Sequence, residues 1–110
     1  MASLPLNTFK TLTAQVTSAD QTLYTAPIGV TTIFLVTQVA NTSNTVSKVT
    51  FTHVRGSTET EITKDMDVAA NDSMLLIQGK LVLETGDSIK IISDTSNLKF
   101  LASILETANT

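Results

Sequence analysis

The chain has 110 residues, the size of one domain with one hydrophobic core. Hydrophobic residues make up 42% of it and charged residues 15%, a balance too apolar for a disordered chain. The net charge of −3 offers no basic field to nucleic-acid phosphates, and a chain without cysteine excludes disulfides and thiolate metal sites. The longest apolar runs, 33–36 and 74–77, are four residues long, so no membrane span is expected.

Alternating polar and apolar residues predict the first two strands. Residues 8–16 alternate, and a polar turn follows them. The strand at 23–25 ends at Pro27 and Gly29, because proline cannot donate to a β-ladder and glycine tolerates positive φ. Residues 1–7 precede the first strand, and we expect them to form a flexible arm.

The middle of the chain predicts a central strand and its neighbour. Residues 31–40 open with the continuous apolar run 33–36, which is typical of a strand that is covered on both faces at one end. Residues 46–54 alternate strictly, so that Val49 and Phe51 point inward from the same face.

The second half of the chain predicts further short strands. Residues 58–63 have few apolar side chains, which indicates an edge strand or an extended surface loop. Short strands follow at 73–77, 81–83 and 89–92. The spacing of apolar residues in 99–105 fits a strand or one helical turn, and the neighbouring strands favour a strand.

This pattern predicts an all-β fold, a single antiparallel β-sandwich of about seven to nine short strands, either jelly-roll-like or Ig-like. The sandwich domain is expected to span residues 8–106. It follows the arm at 1–7 and precedes a C-terminal tail at 107–110.

No group of residues predicts catalysis or metal binding. His53 is the single histidine, and no nucleophile motif accompanies it. The densest acidic region lacks the spacing of a calcium-binding loop, and we interpret it as solvated; it contains Glu59, Glu61, Asp65, Asp67 and Asp72. We expect no enzyme, cofactor or metal, and we expect Phe34, Phe51 and Phe100 to pack in the core.

Two blocks of the sequence resemble small structural proteins of tailed-phage virions. The segment 23–33, LYTAPIGVTTI, followed by 39–43, VANTS, resembles their pattern Y-T-x-P-x-G-x-x-x-I … x-N-x-S. The segment 69–73, AANDS, followed by 79–89, GKLVLETGDSI, resembles P-A-N-x-S … G-L-V-L-E-A-G-D-x-I. The second block departs from the pattern at Ala69, where proline is usual.

The resemblance implies a β-sandwich that decorates or cements a capsid and has no catalytic residues. Its expected partner is the major capsid protein or another virion protein, with association into a homo-oligomer. The expected location is the virion, at the capsid surface or in the tail, after synthesis in the host cytoplasm. The alternatives are a tail fibre, baseplate or adaptor module, and a receptor- or carbohydrate-binding module that uses exposed loops at 41–45 and 63–72.

The arm is the candidate protein interface. An extended arm on a neighbouring subunit gains main-chain hydrogen bonds and buries its leucines. We therefore expect contacts from Leu4, Pro5 and Leu6, together with the nearby Phe9. A frayed terminus is the alternative.

Overall fold

The computed structural model describes residues 7–108, and all regular structure in this range is β-strand. Nine strands are present, which confirms the all-β prediction, although three of them have 11 or 12 residues and are longer than expected. Their bounds are β1 Asn7–Val16, β2 Gln21–Thr25, β3 Val30–Asn41, β4 Ser47–Arg55, β5 Thr58–Val68, β6 Ser73–Leu75, β7 Leu81–Leu83, β8 Ser88–Ser93 and β9 Leu98–Ala108.

The strands form two antiparallel sheets that pack face to face. The first sheet has the order β1-β9-β3-β6, with β7 also paired to β3, and the second has the order β2-β8-β4-β5. Strands that follow each other along the chain mostly lie in opposite sheets, and each sheet interleaves early strands with late ones. This is the arrangement of a jelly roll, so the order decides between the two predicted kinds of sandwich.

The core lies between the sheets and is built from the inward positions of the alternating strands. Phe34, Phe51 and Phe100 are buried, as predicted from their strand positions. Phe51 of the second sheet stacks on Phe100 of the first, with ring centroids 6.0 Å apart. Aromatic pairs in this geometry contribute about 0.5–1.5 kcal/mol beyond the area they bury.

The strand β5 corrects one expectation. Residues 63–68, predicted to belong to an exposed loop, continue β5 to its end at Val68. Two register shifts in the pairing of β4 with β5 accommodate the irregular sequence, and Asp65 has φ of 47° there. Ile62, Met66 and the buried Val68 pack against the core, so a few apolar residues are enough to hold this edge strand in place.

The strand β3 is interior to its sheet, as predicted, with β9 on one side and β6 and β7 on the other. The expectation that its apolar run is covered on both faces is wrong within this molecule. Phe34 faces the core, whereas Val36 is 44% exposed on the outer face. A two-layer sandwich covers only one face of each sheet, so nothing in the described chain lies over the other face.

No helix occurs between Asn7 and Ala108, so the described residues contain no helical membrane span.

Candidate interaction surface

The two sheets differ strongly in charge. Strands of the second sheet contain eight charged residues, five of them in β5, whereas strands of the first sheet contain three. Of these three, Lys10 and Glu106 lie on the inward side, because they alternate with the same face as the buried Ile104. Lys99 is therefore the single charged side chain on the outer face of the described first sheet. Protein interfaces are depleted of charge at their centres in the same way.

A row of apolar side chains crosses this outer face. The pairing registers place Phe9 of β1 opposite Leu105 of β9, Leu105 opposite Ile33 of β3, and Ile33 opposite Val82 of β7. Directly opposed side chains in antiparallel pairs have Cβ atoms about 4.5–5.5 Å apart, so the four form a continuous strip, here called the apolar row. Phe9 is 71% exposed and Val82 50%.

A second set of exposed apolar residues lies farther along the same strands. Leu101 pairs with Gln38, which pairs in turn with Leu75, and both leucines are exposed. Uncharged Thr11 and Ser103 lie opposite each other between this set and the apolar row. The whole outer surface of the first sheet is called the low-charge face below. Apolar side chains grouped on one exposed sheet face often mark a surface that binds another protein.

A shallow depression lies at the end of the low-charge face that is remote from the apolar row. Its solvent side is lined by Thr13, Gln38, Lys99 and Leu101, among others. Phe100, the aromatic residue of the lining, is only 2% exposed. It offers no flat ring for a sugar to stack on, so this depression does not favour the carbohydrate-binding alternative.

The edges of the two sheets differ in how they are protected. The strand β5 has five charged residues, β2 has a register shift and ends before Pro27, and β6 and β7 have three residues each. The edge strand β1 has ten residues, pairs regularly with β9 and has one charged residue, Lys10. Charge, irregularity and shortness are the means by which edge strands resist unwanted pairing. Within the described residues, β1 is the long edge that lacks them.

A buried carboxylate joins β4 to the turn between β7 and β8. Asp87 is 3% exposed at its side chain. Arg55 donates from Nε to Oδ1 at 2.9 Å and from Nη2 to Oδ2 at 2.7 Å. Nε2 of His53 lies 3.1 Å from Oδ2, and the backbone N–H of Glu84 donates to the same oxygen at 3.0 Å.

These contacts give Asp87 a structural role. Hydrogen bonding from Arg55 lowers the pKa of the Asp87 carboxyl group, with smaller contributions from the Glu84 amide and His53, while burial opposes the shift. Both oxygens are occupied as acceptors, so the group holds the turn against β4. His53 is thus a partner of this ion pair, and the arrangement does not resemble a nucleophile with its base.

The two sequence blocks that resemble phage proteins meet at one corner of the fold. The buried Asn41 donates from Nδ2 to the carbonyl oxygens of Thr45 at 2.7 Å and Val68 at 3.0 Å. Its Oδ1 accepts from the backbone N–H and the hydroxyl of Ser43. Asn71, with φ of 57°, donates its backbone N–H to Ser43. These motif residues therefore close loops, and Asn41 is not part of an exposed contact loop as the receptor-binding alternative assumed.

A tyrosine connects the sheets at the opposite end of the strands. The hydroxyl of Tyr24 on β2 hydrogen-bonds to Glu106 on β9 and lies 2.8 Å from Thr32 Oγ1. Lys10 Nζ is 3.0 Å from the other carboxylate oxygen of Glu106. Burial, followed by the bond to Glu106, raises the pKa of Tyr24 to about 12.

The predicted interface residues fall in two groups. Leu4, Pro5 and Leu6 lie outside the described residues, so their contacts stay a prediction. Phe9 lies at the exposed end of the apolar row. The other three members of the row were not predicted to lie in an interface. Two of them had a signal in the sequence: Ile33 lies in the continuous apolar run at 33–36, and Leu105 lies in the apolar pair 104–105 of a strand expected to alternate.

The acidic residues do not converge. Within residues 7–108, no group of three or more acidic or histidine side chains is placed to hold a metal ion. Lys48 Nζ lies 2.7 Å from Asp67, and Lys90 Nζ lies 2.9 Å from Glu59, so part of the acidic set is paired on the surface of the second sheet.

Comparison with known proteins finds similarity in fold alone. No protein-family model matches the chain, and no curated protein matches it in sequence. Among solved structures, the chain is similar to one from Bacillus endospore appendages, described as a novel family of disulfide-linked pili, with a TM-score of 0.56 and 12% identity over 98% of this chain and 93% of that one.

Two further similar structures come from viruses. A chain of infectious bursal disease virus, Gx strain, matches with a TM-score of 0.55 and 16% identity over 92% of this chain and 32% of that one. A pentameric capsid protein isolated from metagenomic phage sequences matches with a TM-score of 0.51 and 12% identity, covering 90% and 62% respectively. This chain spans about a third of the first protein and under two thirds of the second. The shared feature is a β-sandwich fold found in proteins of pili and capsids.

Proposed function

We propose that this protein is a non-enzymatic structural subunit of a virion, and that it decorates or cements the capsid by binding the major capsid protein. The observation that carries the proposal is the low-charge face with its exposed apolar row. Phe9 and Val82 are exposed to water on this face, and covering them with another protein surface is favourable because it removes apolar area from water. The function supported is therefore association, and the partner is a protein surface.

The kind of assembly is inferred from similarity. The sequence blocks resemble small structural proteins of tailed-phage virions, and the fold is similar to that of a phage capsid protein. Jelly rolls recur in viral capsid domains. Fold similarity at this level of identity is an analogy, and it supports a virion role without identifying the partner.

The attachment to the shell is proposed to use the arm. Residue Asn7 begins the unprotected edge strand β1, so Leu4, Pro5 and Leu6 immediately precede an edge that a neighbouring chain can approach. An arm that binds the shell weakly still holds firmly when several arms of one oligomer bind together, because the linked contacts add avidity.

The copy number in purified particles is the first test. Quantitative mass spectrometry against the major shell protein should give one copy per shell subunit, or one per few. A ratio of one to many would refute decoration and favour a tail or baseplate module. Absence from particles would refute the virion role altogether.

Shell stabilisation is tested on particles depleted of this protein. Their thermal rupture temperature should fall, and adding back the purified full chain should restore it. A chain lacking residues 2–6 should restore it poorly if the arm binds the shell. Equal rupture temperatures for depleted and complete particles would contradict a cement role.

A further inference from the structure

We infer that the low-charge face is covered by the same face of a second copy of this chain, in a two-fold symmetric pair of sandwiches. The inference goes beyond the proposed function, because it assigns a surface and a partner to self-association and is independent of what the assembled pair binds.

The sequence of β3 is more apolar than its surroundings in one molecule require. Its apolar run at 33–36 is typical of a strand buried on both faces, yet the described chain covers only the inner face. The run 104–105 in β9 shows the same excess of apolar residues over strict alternation. Both strands carry outward apolar side chains that a third layer would bury, and no third layer comes from residues 7–108.

Charge favours the first sheet over the second as the place where two copies meet. The strands of the second sheet contain four acidic residues, all on β5, and four basic residues, and several of these charges form exposed ion pairs. A copy packed on the second sheet would take these charges out of water, which is costly. On the low-charge face of the described chain, two copies can meet with Lys99 as the single charge on each.

The low-charge face is complementary to itself. In a two-fold contact, residue i of one copy meets residue j of the other, and j meets i. With the axis parallel to the strands, the apolar row packs on itself, so that Phe9 meets Val82 of the partner subunit and Leu105 meets Ile33 of the partner subunit. Lys99 is six residues from Leu105 along β9, about 20 Å away, and stays at the wet rim of the contact.

The area of the face is large enough for a specific contact. Strands lie about 4.8 Å apart and rise about 3.3 Å per residue, so the long strands β1, β9 and β3 and the three-residue β6 and β7 beside them form a surface of roughly 600 Å². A pair would bury about 600 Å² on each copy and about 1,200 Å² in total. This lies at the lower limit of specific, stable interfaces, so a dimer that dissociates on dilution is expected.

Sedimentation equilibrium of the full chain over a range of concentrations tests the inference. The chain should sediment at twice its mass of 11.7 kDa at high concentration. The double variant Phe9→Glu with Val82→Glu should raise the dimer dissociation constant by at least about 100-fold, since it places unpaired charges in the contact. Both positions are largely exposed, so the variant should keep the thermal unfolding midpoint of the natural chain. Ile28→Glu is the matched control, because Ile28 is 94% exposed in the turn before β3 and lies off the low-charge face.

Cross-linking tests the same contact in a different way. The natural chain has no cysteine, so one introduced thiol is unique. Ser103→Cys, at the middle of the low-charge face, should give a covalent dimer with a short bismaleimide. Thr60→Cys, on β5 of the other sheet, should not.

A monomer at all concentrations would overturn the inference, as would a dimer that the double variant leaves intact. If the chain is a monomer and the double variant loses binding to depleted particles, the face contacts the shell; the inference then fails while the proposed function stands. A face-dependent dimer that is absent from purified particles would give the opposite result, in which the pairing holds and the virion role fails.

Discussion

Replacing Asp87 by asparagine tests whether its ion pair holds the turn between β7 and β8 against β4. The change keeps the shape and removes the charge. The amide oxygen can occupy the position of Oδ2, where three groups approach, but the amide nitrogen then faces Nε of Arg55, so a donor meets a donor. Hydrogen bonds to charged groups contribute about 1.5–3 kcal/mol each, and Arg55 can turn partly to water. We expect a loss of about 2 kcal/mol and a fall in Tm of about 8 °C.

The pH dependence distinguishes the lost charge from a packing defect. The pKa of Asp87 is lower in the folded state than its ordinary value of about 3.9 in an unfolded chain. The ion pair therefore contributes its full stability above about pH 4, and this contribution is lost as the pH falls further toward the folded-state pKa. The difference in unfolding free energy between natural chain and Asp87→Asn should be constant from pH 7 to pH 5 and smaller at pH 2.5.

Urea unfolding followed by circular dichroism measures this difference. Glu84→Gln is the control, because Glu84 is 71% exposed and makes one contact of 3.1 Å with Arg55; its midpoint should barely move. A loss below about 0.5 kcal/mol for Asp87→Asn at pH 7 would refute the reasoning, as would a loss that is the same at pH 2.5.

Three further measurements test other parts of the fold. Tyr24 is the one tyrosine of the chain, so absorbance of its phenolate in the folded protein should titrate with a midpoint near 12; a midpoint near 10 would contradict its burial and its bond to Glu106. Asn41→Ala removes buried bonds that close a loop and should cost about 2–3 kcal/mol by urea unfolding, against little change for Asn44→Ala. Phe51→Ala should cost about 3–5 kcal/mol, and Phe51→Leu much less; equal losses would argue against close packing on Phe100.

Much of the fold follows from alternation in the sequence, while strand order does not. The strict alternation of β4 determines which of its two faces is buried, the one that contains Phe51, whatever strand pairs with β4. The pairing of Asn7 with Thr107 joins opposite ends of the chain, and no local pattern encodes such a partner. Only these long-range pairings distinguish a jelly roll from an Ig-like sandwich. The segment 63–68 was wrongly predicted to be a loop, because its acidic residues suit a surface loop and the solvent side of an edge strand equally well.

The interaction surface was predictable only in part for the same reason. Phe9 was predicted because it lies beside the arm, but the apolar row contains residues of four strands and can be identified only from the pairing registers. The run at 33–36 contained the clearest signal, since it has more apolar residues than one covered face requires. The role of Asp87 was not predictable for the same reason. The sequence T-G-D is typical of a solvated turn, and only the structure shows Arg55 and His53 bound to the carboxylate.

The difference between the sheet edges affects how copies of the folded protein can aggregate at high concentration. A fibril that grows by strand addition needs two receptive edges on every molecule, one to accept the previous chain and one to offer the next. In the described chain, one long regular edge, β1, is open, and β5 at the far side of the other sheet is charged. Strand addition through the described edges of the folded protein would therefore end after one step.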